Sequence, residues 1–393
     1  MDSKYKIIIA AGGTGGHIFP AIALAKKFKS DGNQVTIIAT GNDLEKKIFA
    51  LEKIDVAYFE SRFKHVSRFS KYISLFTPPK SDLIKYVRDF KPDLVLGMGG
   101  YASLDVCKAA SYIGEYHDSE EHFMMEELIE PYIAIHEQNS KAGRANRYIA
   151  NTRARGIIEG FPGAFDWKTK LLQSSTGDLI FLGNPVRSEI LDVKRNVRSY
   201  SEYSKNPRIL ILGGSQGARS INYSMPNVVQ KLSLKMDIEI MHQTGEYDYV
   251  KICEMYKENG FSANVFPFIQ DMAKAYEWAD LVIGRSGAMT VSELSAIGMP
   301  SILIPYPHAM DNHQLFNARF LEQKKATAII YDKEVKSEHF IETIERIFSE
   351  DRILKDMSDA AFDETFVNAS QNITKFCYEM IEKHPLINNT FNN

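Results

Sequence analysis

The fold is decided by residues 6–17, which read KIIIAAGGTGGH. The apolar run from Lys6 to Ala11 is typical of a buried strand, and the glycine-rich turn behind it leads into Pro20 and an apolar periodicity typical of a helix. Pro20 suits the first turn of that helix, because its missing N–H needs no partner there. Glycines let the backbone approach a ligand closely, so the turn aims amide donors and the positive end of a helix dipole at one point. The segment therefore predicts a strand, turn and helix that hold a phosphate or a developing negative charge.

The same pattern recurs at three later places. The turns at Gly97–Tyr101, Gly213–Ala218 and Gly284–Ala288 each follow an apolar run typical of a buried strand. Alternation of strands and helices predicts an α/β fold with mostly parallel sheets, whose ligands lie beyond the carboxyl ends of the strands. Since two of the turns fall in each half of the chain, we expect a cleft with phosphate-handling loops on both walls.

The length of the chain predicts two domains. Its 393 residues are too many for one ordinary core. We place the first domain at 1–186 and the second at 187–367, with a charged linker at the start of the second. An apolar-periodic segment at about 368–385 is predicted to form a helix that packs back onto the first domain, and 386–393 to be a disordered tail.

Charge and cysteine content argue against several classes of protein and of site. The formal net charge of -3 predicts no general attraction to nucleic acid. Cys107, Cys253 and Cys377 lie far apart, which indicates reduced thiols in a cytosolic protein rather than a disulfide framework or a zinc site. The chain enters a strand almost at once and has no apolar run of about 20 residues, so we expect no signal peptide and no membrane span.

Two stretches stand out by their charge. Arg62–Lys91 interleaves basic and aromatic residues with only two acidic ones, which suits the face of an anionic bilayer but equally a solvated loop and helix with core aromatics. Glu115–Glu130 contains seven acidic residues and no basic one. We interpret it as an acidic insertion rather than a metal site, because its potential ligands lack a tight spacing.

Polar clusters follow predicted strands in both halves. His136–Asn139 closes a strand with a density of polar residues that fits a site better than a core. In the second half, Glu293 lies on the helix that follows the turn at Gly284, with Gly298 as its C-cap. Its carboxylate could accept both hydroxyls of a ribose or make a surface ion pair. Asp311–Gln314 and Asn317 could line a site or cap a helix.

Taken in order, these motifs resemble glycosyltransferase family 28, and in particular its members that add N-acetylglucosamine to lipid I in bacterial cell-wall synthesis. The resemblance spans roughly residues 5–335. It implies a GT-B fold, with two Rossmann-like domains facing a cleft, UDP-N-acetylglucosamine held mainly by the C-terminal domain and the lipid acceptor by the N-terminal one. It also implies inversion at the anomeric carbon, attack by the C4 hydroxyl of the acceptor sugar, and no metal or other cofactor. An Asp-x-Asp motif is absent from the chain, which agrees.

The resemblance assigns roles by matching position. His17 becomes the candidate base for the acceptor hydroxyl and Glu137 a second candidate, since a histidine with its ordinary pKa near 6.5 takes a proton near neutrality. Gly99, Gly100 and Tyr101 would meet the acceptor. The other substrate-contacting residues implied in this way are Thr14, Gly15, Gly16, Asn139, Arg187, Ser215, Gln216, Ile269, Arg285, Ala288, Met289, Thr290, Val291, Ser292, Glu293, Gln314 and Asn317.

The chain departs from the family pattern in two places, both in the predicted acceptor domain. Residues 104–108, LDVCK, replace a proline and small residues, and Glu115–Glu130 is an insertion of about fifteen residues. These changes should leave the binding and reaction of the sugar donor intact. The family's contacts with the acceptor carry over to this chain less safely. The match of Arg62–Lys91 to the region with which the family touches the membrane implies a peripheral protein on the cytoplasmic face of the inner membrane.

Three alternatives remain open at this point. A UDP-sugar 2-epimerase shares the two-domain plan, binds the same nucleotide and needs no lipid. A nucleotide-sugar-binding regulator without turnover is weakened by the presence of His17, Glu137 and Glu293. An NAD oxidoreductase is weaker still, because Ala39–Gly41 occupies the end of the second strand where an acidic residue would bind the ribose.

Overall fold

A computed structural model describes residues 4–13, 15–52, 54–62, 77–113, 130–165, 177–193, 205–214, 217–350 and 352–383. The chain divides into two compact units. The first unit comprises the described residues within Met1–Pro185 and Asn368–Asn393, and the second is Val186–Val367. The predicted tail at 386–393 lies outside the described residues.

The first unit is built on a seven-stranded parallel sheet in the order β3-β2-β1-β4-β5-β6-β7. Its strands are β1 (Lys6–Ala10), β2 (Gln34–Ala39), β3 (Val56–Tyr58), β4 (Leu94–Gly97), β5 (Tyr132–Glu137), β6 (Gly156–Glu159) and β7 (Asp178–Phe181). Central strands are continuous apolar runs, because helices cover both faces of a parallel sheet. Two of these strands, β3 and β6, were not predicted, since runs of three or four residues carry too little periodicity.

The helices of the first unit alternate with its strands. They are α1 (Gly15–Ser30), α2 (Asp43–Glu52), α3 (Ser81–Phe90), α4 (Gly100–Ser111), α5 (Arg144–Thr152) and, after the second unit, α15 (Ala369–Glu382). The prediction that Pro20 lies in the first turn of α1 is wrong, because the helix begins at Gly15 and Pro20 lies in its second turn. The ring therefore leaves the carbonyl of Gly16 without its usual helical donor.

Helix α15 closes the core of the first unit. Ile373, Cys377 and Ile381 are buried in one apolar cluster with residues of β1 and α1. Tyr378 accepts a hydrogen bond from Nδ2 of Asn33 at 2.8 Å, which ties the end of the chain to the turn before β2. All three cysteines of the chain are free thiols.

The second unit is built on a six-stranded parallel sheet in the order β10-β9-β8-β11-β12-β13. Its strands are β8 (Arg208–Leu212), β9 (Glu239–Gln243), β10 (Asn264–Phe266), β11 (Leu281–Gly284), β12 (Ser301–Leu303) and β13 (Thr327–Ile329). Its helices are α6 (Ser188–Leu191), α7 (Arg219–Ser233), α8 (Tyr249–Glu258), α9 (Met272–Trp278), α10 (Ala288–Ile297), α11 (His313–Gln323), α12 (Glu338–Ser349), α13 (Ile353–Ala361) and α14 (Glu364–Val367).

Both sheets place their glycine-rich turns at the point where the strand order reverses. In the first unit β1 and β4 are neighbours, so the turns after Ala10 and Gly97 lie side by side. In the second unit β8 and β11 are neighbours, which brings together the turns after Leu212 and Gly284. Ligands of open parallel sheets bind at this switch point. The four turns therefore form two adjacent pairs, one in each unit.

None of the helices in the described ranges is both long enough and apolar enough to cross a bilayer.

The packing of α15 predicts a measurable contribution to stability. Ile373 is fully buried, so Ile373→Ala should lower the free energy of unfolding by about 2–4 kcal/mol through lost burial and a residual cavity. Lys375→Ala, on the exposed face of the same helix, should change it by less than about 0.5 kcal/mol. Urea unfolding followed by circular dichroism measures both values, and equal effects would show that α15 does not depend on its apolar face.

Candidate active site

The first glycine turn wraps around a carboxylate of the protein itself. Glu45, on α2, is fully buried, and its Oε1 accepts the backbone N–H of Gly13 at 2.6 Å. The same carboxylate accepts bonds from the hydroxyl of Thr40 and the backbone N–H groups of Gly41 and Asn42. The amide of Gly13 is therefore not available to a phosphate, which corrects the expectation for this part of the turn.

The rest of that turn belongs to the start of α1. Gly15 and Gly16 are the first two residues of the helix, whose opening amides have no partner inside the helix. Thr14 lies outside the described residues. An anion at this turn would meet the N-terminus of α1 rather than the amide of Gly13.

His17 packs against the neighbouring turn between β4 and α4. Gly99 and Gly100 have φ angles of 92° and 75°, which favour glycine. A Cβ added at Gly99 would lie 2.9 Å from Cε1 of His17, so a side chain there would collide with the imidazole. Tyr101, the next residue, is 43% exposed. The fold thus brings together the predicted base and the predicted acceptor turn.

Glu137 is held by the backbone around it. Its carboxylate is buried and accepts the backbone N–H groups of Asn139 and Gly143 at 3.0 and 2.8 Å. It also accepts amide N–H groups from the side chains of Asn139 and Asn146. A carboxylate that accepts this many hydrogen bonds holds its loop in place. The role of Glu137 as a second candidate base stays a prediction, and the contacts of Asn139 serve the same loop.

Gln138 is the residue for which sequence reasoning assigned no role. Its Oε1 lies 2.7 Å from Nδ1 of His17, and its Nε2 lies 2.9 Å from Nδ1 of His136. His136 is fully buried, and its Nε2 lies 2.9 Å from the carbonyl oxygen of Gly183. Burial lowers the pKa of His136 to about 4, so its imidazole is neutral near pH 7. Positions two apart at a strand end share a face, and that spacing of His136 and Gln138 could have suggested their contact.

In the second unit, Gln243 joins the turn after β8 to the segment after β10. Its Nε2 donates to the carbonyl of Gly214 at 3.1 Å, and its Oε1 accepts the backbone N–H of Ile269 at 2.9 Å. The amide of Ile269, the predicted uracil contact, is thus already bonded to the protein. Ser215 and Gln216 lie outside the described residues.

Helix α10 directs its first amides to the switch point. Gly287 is its N-cap, and the first helical bond runs from the N–H of Val291 to the carbonyl of Gly287 at 3.0 Å. The geometry of the helix therefore leaves the amides of Ala288, Met289 and Thr290 without helical partners. The side chains of Val291 and Ser292 are fully buried, so the implication that they contact substrate is corrected: only the start of the helix faces outward.

Glu293 is a buried carboxylate, not a surface one. It is 8% exposed, and its two oxygens accept bonds from Nη2 of Arg187 at 3.1 Å and from the hydroxyl of Tyr276 at 2.9 Å. Burial alone would lower the pKa of Arg187, but the charge of Glu293 outweighs it and raises that pKa. Burial, with the Glu293 carboxylate, raises the pKa of Tyr276 well above its ordinary value. Arg187 therefore stays cationic and Tyr276 stays a donor, which fixes the carboxylate in place.

The remaining predicted contacts of this unit hold the turn after β11. Arg285 makes an ion pair of 2.6 Å with Asp332, and its guanidinium donates to the carbonyl of Ile304. Asn317 is fully buried and donates to the carbonyl of Ser286 at 3.1 Å. Both side chains therefore support the turn, and their contact with substrate stays a prediction. Gln314, which is half-buried, accepts the N–H of Tyr306.

The basic and aromatic stretch is described only at its ends. Residues 63–76 lie outside the described residues. Arg62 pairs with the buried Asp105 at 2.6 Å, so its guanidinium is engaged within the protein. Lys80, Lys85 and Lys91 are exposed.

The structure also accounts for part of the departure from the family pattern in α4. Asp105 pairs with Arg62. Lys108 donates through Nζ to the carbonyl of Thr77 at 2.8 Å. These two charged side chains thus bind the segments that flank 63–76. Of the predicted acidic insertion only Glu130 is described, and it pairs with Arg155 at 3.1 Å.

Comparison with known proteins gives a consistent result over most of the chain. Family models described as the glycosyltransferase family 28 N-terminal and C-terminal domains match residues 7–158 and 208–373. A protein of Coxiella burnetii (strain Dugway 5J108-111) is 37% identical over 351 residues, which cover 88% of this chain and 90% of the relative. That relative is named UDP-N-acetylglucosamine--N-acetylmuramyl-(pentapeptide) pyrophosphoryl-undecaprenol N-acetylglucosamine transferase.

Solved structures agree with the predicted fold class. The crystal structure of Acinetobacter baumannii MurG matches with a TM-score of 0.72 and 27% identity, covering 97% of this chain and 100% of that chain. A UDP-GlcNAc 2-epimerase from Neisseria meningitidis bound to UDP-GlcNAc matches with a TM-score of 0.62 and 15% identity, covering 95% and 100%. The second likeness shows the fold alone. The prediction of an α/β protein with the two Rossmann-like sheets of the GT-B class is confirmed.

The carboxylate of Glu45 gives a prediction about stability. Glu45→Ala removes the acceptor of several part-buried N–H and O–H groups, so we expect the free energy of unfolding to fall by about 2–4 kcal/mol. Asp43→Ala removes the same charge from an exposed position on α2 and should cost less than about 1 kcal/mol. Chemical denaturation of both variants measures the difference. A loss no larger for Glu45→Ala would mean that water replaces the carboxylate without penalty.

Proposed function

Because the chain belongs to glycosyltransferase family 28, we propose that it transfers N-acetylglucosamine from UDP-N-acetylglucosamine to N-acetylmuramyl-(pentapeptide) pyrophosphoryl-undecaprenol, or lipid I, and so makes lipid II. Its class, a glycosyltransferase, follows from the family. The reaction is the one in the name of a relative 37% identical over most of both chains. A UDP-sugar 2-epimerase is not favoured, because the epimerase likeness extends only to the fold.

The setting of His17 is the observation that best supports a transfer reaction. Its imidazole lies at the start of α1 against the Gly99–Gly100 turn, and its Nδ1 is engaged by Gln138. A side chain held in this way can receive a proton at the other nitrogen. With Glu137 occupied by backbone donors, His17 is the base that we assign to the acceptor hydroxyl.

The chemical step is a direct displacement. His17 takes the proton of the acceptor C4 hydroxyl, the C4 oxygen forms a bond to the anomeric carbon, and the bond from that carbon to the UDP oxygen breaks. The electron pair of the broken bond leaves with UDP, and the configuration at the anomeric carbon inverts. Backbone amides and helix dipoles stabilise the departing diphosphate, a term that can dominate such barriers.

The second unit supplies the donor site in this proposal. The free amides of Ala288, Met289 and Thr290 at the start of α10 suit a diphosphate, and Glu293 lies farther along the same helix where a carboxylate can accept ribose hydroxyls. Each carboxylate oxygen has a second lone pair beyond those used by Arg187 and Tyr276. The segment at Ile269 meets uracil through groups other than its bonded amide, and Gln314 meets the sugar hydroxyls.

The acceptor determines the cellular location at which the protein acts. Since lipid I is embedded in a bilayer, we place the protein at the cytoplasmic face of the inner membrane as a peripheral protein. The exposed Lys80, Lys85 and Lys91 of the first unit complement anionic headgroups. Gly99, Gly100 and Tyr101 lie beside the base, as an acceptor turn requires.

One assay tests the reaction. Purified protein is given UDP-N-acetylglucosamine with and without a lipid I analogue, and UDP release is followed together with the identity of the sugar nucleotide. We expect release that depends on the acceptor and no conversion of the sugar alone. Interconversion of UDP-sugars without acceptor would replace the proposal by an epimerase, and binding without either reaction would indicate a regulator.

The role of His17 is tested in the same assay. His17→Ala should lower kcat by about 10²–10⁴-fold, the usual contribution of a general base, with UDP affinity changed less than about twofold. His339→Ala, on the exposed side of α12, serves as the matched control and should leave both values unchanged. An unaltered kcat in His17→Ala would remove this side chain as the base.

The role of Glu293 is tested by UDP binding. Glu293→Gln keeps the size of the side chain but replaces charge-assisted hydrogen bonds to the ribose by neutral ones, so UDP affinity should fall by roughly tenfold. Glu277→Gln, an exposed position on α9, should leave affinity unchanged. Isothermal titration calorimetry measures both, and equal affinities would show that the ribose is held elsewhere.

A further inference from the structure

We propose that Gln138, held in orientation by His136, is a positioning residue that fixes the tautomer of His17, so that Nε2 is the nitrogen that accepts the proton of the acceptor hydroxyl. The inference deepens the proposed function and rests on it. All the groups involved belong to the first unit. The hydrogen-bond geometry determines which nitrogen of each ring has the hydrogen.

The orientation of the Gln138 amide comes first. Its Nε2 lies 2.9 Å from Nδ1 of His136 and 3.0 Å from the carbonyl oxygen of His136. A carbonyl oxygen only accepts hydrogen bonds, so the amide atom facing it must be the NH₂ group. Rotation of the amide by 180° would place two oxygens against each other. The NH₂ of Gln138 therefore faces His136, and its oxygen faces His17.

The tautomer of His17 follows from that orientation. Oε1 of Gln138 lies 2.7 Å from Nδ1 of His17, and an amide oxygen has no proton to donate. Nδ1 of His17 must carry the hydrogen of this bond. In the neutral imidazole the second nitrogen, Nε2, then has an unprotonated lone pair. Within the described part of the chain, that nitrogen has no hydrogen-bond partner.

His136 is the third member of a hydrogen-bonded relay that comprises His17, Gln138 and His136. Its Nε2 donates to the carbonyl of Gly183, so its Nδ1 is the nitrogen that accepts from Gln138. Burial keeps His136 neutral near pH 7, as its lowered pKa shows. A protonated His136 would instead point a second N–H at the NH₂ of Gln138. The buried histidine thus presents the same acceptor to Gln138 throughout the neutral range.

The relay is rigid because its backbone is also bonded. Gln138 and His136 are both buried, at 1% and 0% exposure. Nδ2 of Asn184 donates to the backbone carbonyl of Gln138 at 2.9 Å, and Nδ2 of Asn146 donates to that of His136 at 3.1 Å. Side chains with fixed neighbours keep their rotamers, which is what a positioning residue needs.

Nε2 of His17, the nitrogen with the lone pair, lies beside the acceptor turn. A Cβ added at Gly100 would be 3.9 Å from Nε2 of His17, so this nitrogen borders the Gly99–Gly100 backbone. With the opposite tautomer, Nε2 would carry a hydrogen and could not take the proton of a hydroxyl bound there. A wrong tautomer of a histidine base can cost up to about 10⁴-fold in rate.

The experiment reads the tautomer directly. Full-length protein labelled with ¹⁵N in its histidines is studied by two-bond ¹H–¹⁵N correlation at a pH where His17 is neutral. We expect a protonated Nδ1 and an unprotonated Nε2 for His17 in the unchanged protein. A hydrogen on Nε2 would overturn the inference without any variant.

Gln138→Met then removes the acceptor and keeps the length of the side chain. We expect His17 to shift toward the tautomer with its hydrogen on Nε2, kcat to fall at least tenfold, and KM for UDP-N-acetylglucosamine to change less than twofold. Gln371→Met, an exposed position on α15, is the matched control and should change none of these. A lower kcat with an unchanged tautomer would assign Gln138 a merely structural role and overturn the inference.

The outcomes separate this inference from the function on which it rests. Protein with the expected tautomer but without acceptor-dependent UDP release would reject the transferase, whereas the assignment of hydrogens in the relay would stand. A working transferase with a hydrogen on Nε2 of His17 would reject the relay and leave the transferase in place.

Discussion

Backbone amides at the carboxyl ends of the parallel strands need hydrogen-bond acceptors, and the structure depends on which groups accept from them. In the first unit the protein supplies its own anions: Glu45 takes the amide of Gly13, Glu137 that of Gly143, and Glu159 that of Gly163. These hydrogen bonds are part-buried, and an amide that loses its acceptor there is destabilising, so the carboxylates fix the loops around them. The start of α10 in the second unit keeps amides that the helix itself cannot use.

This difference explains why one glycine-rich pattern serves two purposes. The turn after β1 has the composition of a phosphate loop, yet the anion that it binds at Gly13 is a side chain of α2. The turn after β11 leads into a helix whose carboxylate, Glu293, lies farther along the helix and pairs with Arg187. The Glu45 carboxylate opposes a further negative charge at the turn after β1, whereas the start of α10 has amides to which an anion could bind. Proton transfer and diphosphate binding are accordingly assigned to different units.

The sequence predicts the strands and turns well because both depend on local properties. Apolar runs and glycines determine β1, β4, β8 and β11 and the turns behind them, whatever their tertiary partners. Side-chain roles depend on partners distant in the chain, which spacing does not reveal. Asn317 looks like part of a polar cluster, yet it is buried against Ser286. Arg285 is implied by its position as a substrate contact, and the structure pairs it with Asp332.

Glu137 and Gln138 show the same limit of sequence-based prediction beside the proposed base, His17. By composition the carboxylate is the better candidate for catalysis, but side chains alternate along a strand, and the alternation directs Gln138 to His17 and Glu137 to the loop at Gly143. An ionised carboxylate beside His17 would add a negative charge next to the ring. A neutral amide orients the ring without that charge. Of the two residues, the one that looks less reactive is the one that contacts the histidine.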